Sequence, residues 1–365
     1  MLSHSAHNKK IIFLTPYPFD TAPGQRFRYE QYLNILKEQG YKIQISSFLS
    51  ESAYRLLYKP GKIIQKFLGV VAGMIRRFAT LPIIATADFV FVFREVCPVG
   101  PPLFEWIIAK ILRKKIIYDF DDAIWMTDVL SESFFSRMIR WRRKVSCICR
   151  WSYKVSCGND YLCNYARQFN HNVVLNPTTI ETELLHNPSL YKKEFSTHVT
   201  IGWTGSHSTL KYLAEIEEVL QDIEQNLPAI KILIIANQKP QLALRTAEFI
   251  PWQKQTEAVD LLKIDIGIMP LPDDEWTKGK CGFKALQYMA MGIPAVVSPI
   301  GVNSIIIDHG KNGFLAKTKE NWLNYLSQLI SDVELRETMG KYGREKVIRH
   351  YSVRSNSSNF LSLFT

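Results

Sequence analysis

The sequence predicts an α/β protein of two doubly wound domains, each a parallel sheet between helices. Three observations predict it. A chain of 365 residues exceeds what one hydrophobic core usually fills. Apolar runs of strand length alternate with helical spacing from end to end. A polar, proline-containing stretch at 181–197 divides two such series, giving domains at 1–180 and 198–345 and a terminal segment at 346–365. With 47% hydrophobic and 22% charged residues the chain can build those cores, and no repeat or low-complexity tract argues otherwise.

Residues 9–14 (KKIIFL) read as the first buried strand. Pro16, Pro18, Pro23 and Gly24 stiffen the loop after it. A helix is predicted over 25–39, with Tyr29, Tyr32, Leu33 and Leu36 on its core side and Gly40 as its cap. Strand 42–48 completes a parallel βαβ unit, whose ligands lie at the C-terminal ends of the strands. Gly24, Arg26 and Arg28 stand there, and the arginines read equally well as solvated. Over 62–78 a helical wheel is apolar on most sides, with Lys62, Lys66, Arg76 and Arg77 toward its ends. That pattern fits a helix resting on a membrane and also a core helix with charged ends. No 18 apolar residues run uninterrupted, so no membrane crossing is expected.

Residues 87–94 and 115–118 are the next strands, with a helix at 105–112 between them. The second strand runs into Asp119, Asp121 and Asp122. Three carboxylates in four residues repel one another, so they either serve a site or divide between a helix cap and solvent. Nothing supplies the further ligands a metal would need, and no metal is expected. Residues 136–153 are basic and aromatic, with Arg137, Arg140, Arg143, Lys144, Trp141 and Trp151. They suit an anionic interface or a solvated face. No nucleic-acid module accompanies them, so nucleic acid is not expected as a partner. A strand at 155–158, a helix at 159–169 and a strand at 173–175 end the first domain. The six cysteines lack paired zinc spacing and read as free thiols of a reducing compartment. The net charge of +11 falls almost entirely before residue 186, which points to an anionic partner for the first half.

The second domain opens with a strand from 199 that enters a loop at Gly205 and Ser206, followed by a helix over 210–226 that carries Lys211. Strands at 230–236 and before Trp252, a helix at 257–262 and a strand at 264–271 continue the alternation. A helix at 281–291 follows an irregular approach marked by Asp273, Asp274 and Gly279. Lys280, Lys284 and Gln287 share one of its faces at i, i+4 and i+7. Its start offers unpaired N–H groups and partial positive charge, and Gly279 and Gly282 admit close backbone approach. A diphosphate at the helix start and a ribose hydroxyl beside Gln287 fit a nucleotide-sugar. The plain alternative is a surface Lys–Lys–Gln face. Helices are predicted at 319–330 and 332–350.

The run from Gln287 to Val297 (QYMAMGIPAVV), with Gly301 and Asn312-Gly313 after it, resembles the donor-site signature of the retaining, family-four glycosyltransferases of group 1. Their pattern places an acid, seven residues, then Glu-Ala-Met-Ala-x-Gly-x-Pro-Val-Val. Here Gln287 replaces the second acid and Gly279 falls at the first. The resemblance implies the GT-B fold, two Rossmann-like domains with parallel sheets facing across a cleft, and a last helix that crosses back to the first domain. It implies a donor held by Gly205, Ser206, Lys280, Lys284 and Gln287, with the nucleobase near Trp252. Trp203 stands where an Arg is common, which leaves the diphosphate to Gly205, Ser206 and Lys280, with Lys211 a weaker candidate. Gly24, Arg26, Asp119 and Asp121 are expected on the acceptor side, with Asp122 and Lys280 at the chemistry. The expected activity moves a hexosyl group from a nucleoside-diphosphate sugar to a hydroxyl of a glycan or lipid-linked acceptor, with retention. Stabilisation of charge on the departing diphosphate is its physical core, and no cofactor is expected. The setting implied is cell-envelope synthesis in the cytoplasm, with peripheral contact to the anionic inner membrane face. The alternatives are a nucleotide-sugar epimerase and a non-catalytic scaffold of the same fold.

Overall fold

The computed structural model describes residues 8–57, 59, 61–127, 140–193, 196–227 and 229–365. The chain divides into two compact units, Met1–Thr178 with Asn356–Thr365, and Thr179–Ser355.

The first unit is built on six parallel strands: β1 (Lys10–Thr15), β2 (Lys42–Ser47), β3 (Phe89–Phe93), β4 (Lys115–Phe120), β5 (Lys154–Cys157) and β6 (Val173–Leu175). Their order is β2-β1-β3-β4-β5-β6, so the direction of winding reverses between β1 and β3. The FVFVF of β3 and the IIFL of β1 are buried throughout, as continuous apolar strands covered on both faces must be. Residues 356–365 belong to this unit because Phe360 and Phe364 complete its aromatic core. Phe360 stacks on Tyr32 at 4.2 Å, and the Tyr41 hydroxyl donates to the Phe364 carbonyl.

The second unit repeats the plan with β7 (Val199–Gly205), β8 (Ile230–Ala236), β9 (Ala247–Pro251), β10 (Ile266–Met269), β11 (Ala295–Val297) and β12 (Gly313–Leu315). The order β12-β11-β10-β7-β8-β9 is that of a dinucleotide-binding sheet, with its reversal between β7 and β10. Gly267 on β10 lets the Tyr288 ring lie directly on the sheet, where a Cβ would collide with it. The Tyr288 hydroxyl accepts from the Thr204 N–H at 2.9 Å, which ties the helix Phe283–Ala290 to β7. Residues 181–193, from the stretch 181–197 expected as a linker, fold onto this unit. The Glu181 carboxylate accepts from the N–H groups of 183–185, and Arg344 donates to the carbonyls of Thr182 and His186.

Several elements differ from their sequence expectation. The helix expected over 25–39 is three pieces, Pro23–Arg28, Glu30–Tyr32 and Leu33–Glu38, broken at Tyr29. Below the break Arg28 turns inward to a buried carboxylate, while Gln25 and Glu30 turn to the 17–20 loop. The helix expected over 210–226 is likewise split into His207–Leu210, a 3-10 stretch Lys211–Ile216, and Glu217–Asn226. The approach at 273–279 contains a short helix, Glu275–Lys278, whose capping box joins Asp274 and Thr277. Among the described residues one helix, Ile63–Ile84, is long and apolar enough to cross a membrane, although charged residues interrupt it. All six cysteines are free thiols.

Candidate functional site

In the second unit the reversal point lies where β7 and β10 end side by side, and Gly205 is the last ladder residue of β7, opposite Ala236. The sequence brings a lysine to this spot from 79 residues away. The Lys284 stem passes over Gly205, so close that a Cβ there would stand 2.8 Å from Lys284 Cε and would strike the Trp203 indole. The Lys284 ammonium sits 5.3 Å from the centre of that indole. Trp203 is buried beneath it and acts as an aromatic floor, which orients the lysine by cation–π attraction. Beyond Gly205, Ser206 is exposed, and its hydroxyl shares a hydrogen bond with that of Ser208 at 2.9 Å.

Gly282 starts the helix Phe283–Ala290 with φ +68, a conformation that favours glycine. It packs against Ile306, Asn303 and Val302, leaving no room for a side chain. Lys284 lies in the first turn of this helix, so the helix start carries one full charge to Gly205. Lys280 precedes this helix. It is half-buried, with its ammonium 4.8 Å from the Trp276 ring centre. Trp252 is half-buried past the end of β9, held by its N–H to the Ala236 carbonyl at 2.8 Å. Lys211 is exposed on the 3-10 stretch, above the Tyr212 ring.

Gln287 takes a different place from the one its spacing suggested. It is 3% exposed, and its amide donates to Glu257 at 2.7 Å and lies 3.3 Å from His186 Nε2. The position that carries an acid in the resembling signature is thus an amide with a buried carboxylate beside it, supplied by the helix Glu257–Leu261. Sequence reasoning missed Glu257 and His186. They stand 30 and 101 residues from Gln287, and no local pattern links them.

In the first unit the three aspartates separate by partner. Asp119 was expected on the acceptor side. It is instead fully buried, with its carboxylate on Arg28 at 2.5 and 3.1 Å and on the Ser156 hydroxyl at 2.5 Å. Arg28 also donates to the Asn176 carbonyl, so this is a structural knot beneath the strand ends. Asp121 and Asp122 share Arg94, at 2.7 and 2.8 Å. Gly24 closes over them, since a Cβ there would meet Asp121 Oδ2 at 3.2 Å and Arg94 Nη2 at 3.6 Å. Gly24, Asp121, Asp122 and Arg94 therefore gather at the C-terminal ends of β3 and β4. Burial pushes the Asp121 carboxyl above its ordinary value and the Asp122 charge adds to this, while Arg94 opposes it. Burial disfavours the Arg94 charge, yet the two aspartates outweigh it and hold its pKa high. Two acids on one arginine leave a net negative cluster suited to hydrogen-bonding hydroxyl groups. Arg94, at φ +60, was missed because nothing in FVFVFREV marks an arginine that must turn back over the sheet. Arg26 is buried rather than solvated, 3.6 Å from Asp20.

The basic segment expected at 136–153 is described from residue 140; residues 136–139, with Arg137, lie outside the described residues. Its helix is Lys144–Trp151, and Lys144 is turned inward, pairing with Glu95 at 2.6 Å.

Residues 201–346, most of the second unit, match the family described as Glycosyl transferases group 1. Spore coat protein SA of Bacillus subtilis (strain 168) is 34% identical over 81 residues, a stretch covering 21% of this chain and 22% of that protein. The match thus spans about a fifth of the length of that relative. The sucrose-phosphate synthase structure from Thermosynechococcus elongatus superposes with a TM-score of 0.69 at 14% identity, covering 98% of each chain. The Anabaena protein HepE, solved in complex with UDP-glucose, gives 0.64 at 14% identity over 97% of this chain and 99% of that one.

Proposed function

We propose that this protein transfers a hexosyl group from a nucleoside-diphosphate sugar to an acceptor hydroxyl, with retention, because residues 201–346 match the Glycosyl transferases group 1 family and the fold is GT-B. The observation that carries the reading is the Lys284 side chain, from the first turn of the helix Phe283–Ala290, lying over Gly205 at the end of β7 beside the sheet reversal point. A glycine for close approach, a helix N-terminus and an oriented cation are what a diphosphate needs. The same groups stabilise charge on it as the glycosidic bond breaks. Lys280 remains a second cation for the departing phosphate, and Trp252 a surface for the base. The Gly24–Asp121–Asp122 cluster is the candidate acceptor-binding surface of the first unit. The reaction draws on no metal or cofactor.

The UDP-glucose bound by HepE makes uridine diphosphate the first nucleotide to test. The acceptor is a glycan or a lipid-linked hydroxyl of the cell envelope. The enzyme works on the cytoplasmic side, at the anionic inner face of the membrane, in keeping with its basic first half. A thermal-shift screen against UDP, GDP, ADP, CMP, dTDP and their sugar conjugates tests the donor site. A ligand at 100 times its Kd stabilises the fold by about 2.7 kcal/mol. A shift with one nucleotide, lost in Lys284→Met, supports the reading. Absence of any shift would favour a non-catalytic scaffold. Conversion of the sugar without an acceptor would favour an epimerase.

A further inference from the structure

The helix Ile63–Ile84 is built inside out. Its residues Gly73, Arg77, Thr80 and Ile84 recur at helical spacing and are buried. Gly73 lies against Phe48, where a Cβ would come within 2.6 Å of the ring. The Arg77 guanidinium, 1% exposed, donates to the carbonyls of Thr15, Ser46 and Val96. The side that packs into the first unit thus carries a glycine, an arginine and a threonine before its one large apolar residue, Ile84. The opposite side carries Ile64, Phe67, Leu68, Ile75 and Phe78, also at helical spacing, and Ile64, Phe67 and Ile75 are 75%, 64% and 64% exposed. Arginine inward and isoleucine outward reverses the usual arrangement of a surface helix. The neighbouring helix Leu103–Trp106 meets it through an edge contact of Phe78 with Phe104 at 4.8 Å, and leaves Leu103 and Trp106 exposed as well.

We infer that this face is the protein's docking surface for a lipid bilayer carrying anionic headgroups, with the helix lying in the plane of the interface. The inference deepens the membrane setting proposed above and does not depend on the transfer chemistry. Charge complementarity selects the occupant. Residues 52–87 contain Arg55, Lys59, Lys62, Lys66, Arg76 and Arg77 and no acid. Lys62 and Lys66 sit off the apolar stripe, on the polar side, where an interfacial helix carries its cations. A second copy of the chain would bring this cationic helix against itself. Spanning is excluded by Arg77, whose three backbone acceptors and burial hold the helix in the unit.

Co-sedimentation with vesicles of phosphatidylglycerol and phosphatidylcholine, against pure phosphatidylcholine, tests this at low and high salt. The full chain is expected to bind the anionic vesicles and to be released by salt. Phe67→Ser with Ile75→Ser should lower partitioning at least tenfold, and Lys62→Ala and Lys66→Ala about fivefold each. Lys62, Phe67 and Ile75 are exposed and Lys66 is half-buried on the Lys59 carbonyl, none of them in the core, so melting temperature and the nucleotide-induced thermal shift should not change. A loss of vesicle binding with that shift intact therefore separates the two readings. Lack of binding to anionic vesicles at low salt would overturn the inference. So would a stable dimer that Phe67→Ser with Ile75→Ser converts to monomer, because a second copy would then cover the face.

Discussion

Arg28→Met tests the division of labour among the aspartates. Both partners of the Arg28–Asp119 pair are fully buried, the contact is bidentate, and the remaining Asp119 contact is the Ser156 hydroxyl. Removing the cation leaves a carboxylate in the interior with one neutral donor. Breaking one side of such a buried pair costs about 3–5 kcal/mol. For a unit of this size, with a urea m-value of roughly 2 kcal/mol/M, the unfolding midpoint of the first unit should fall by roughly 1.5–2.5 M. Replacing both partners, Arg28→Met with Asp119→Leu, should recover most of that loss, since an apolar pair of similar volume needs no desolvation of charge. Urea unfolding followed by tryptophan fluorescence gives the midpoints. They are compared between variants without assuming that a two-unit chain unfolds in one step. A midpoint shift below roughly 0.5 M for Arg28→Met would refute the structural assignment. It would return Asp119 to the acceptor side, where its loss should reduce transfer and leave stability alone.

Other predictions follow from the same geometry. Lys280→Ala should lower turnover about 10²-fold or more if Lys280 faces the leaving group; Lys284→Met should chiefly weaken nucleotide binding, as separate kcat and KM measurements would show. Gly267→Ala forces a methyl into the Tyr288 ring and should cost about 1–3 kcal/mol in the melting of the second unit. Glu105 is buried with one carboxylate oxygen on the Val96 N–H and the other without a hydrogen bond, and burial raises its pKa. The folded protein therefore holds this proton more tightly than the unfolded chain does. Its contribution to stability is greatest below the ordinary carboxylate value of 4.5 and is lost as pH rises through the elevated folded value. Glu105→Gln should flatten that decline, measured as the urea midpoint from pH 4 to pH 8.

The alternation of strand and helix periods predicted two doubly wound units, because a parallel sheet buried on both faces needs continuous apolar strands and those are visible in the chain itself. The helix start at Gly282 and the place of Lys284 in its first turn were legible for a related reason. A helix start, a positive φ and an i, i+4 spacing are local properties. The partners were decided by tertiary structure. Asp119, Asp121 and Asp122 read as one cluster, yet Arg28 and Arg94, 91 and 27 residues from their partners, divide them into a fully buried knot and a partly buried pair. Gln287 read as a ligand contact until Glu257 and His186 packed around its amide. The helix Ile63–Ile84 shows the limit from the other side. Its composition suits a core helix and an interfacial helix alike, and only the packing of Gly73 and Arg77 against Phe48, Thr15 and Ser46 turned its apolar face outward. Backbone periodicity is written in neighbouring residues. Which charge meets which countercharge, and which side of a helix meets the core, depends on residues that are distant in sequence and come together only when the sheet orders its strands.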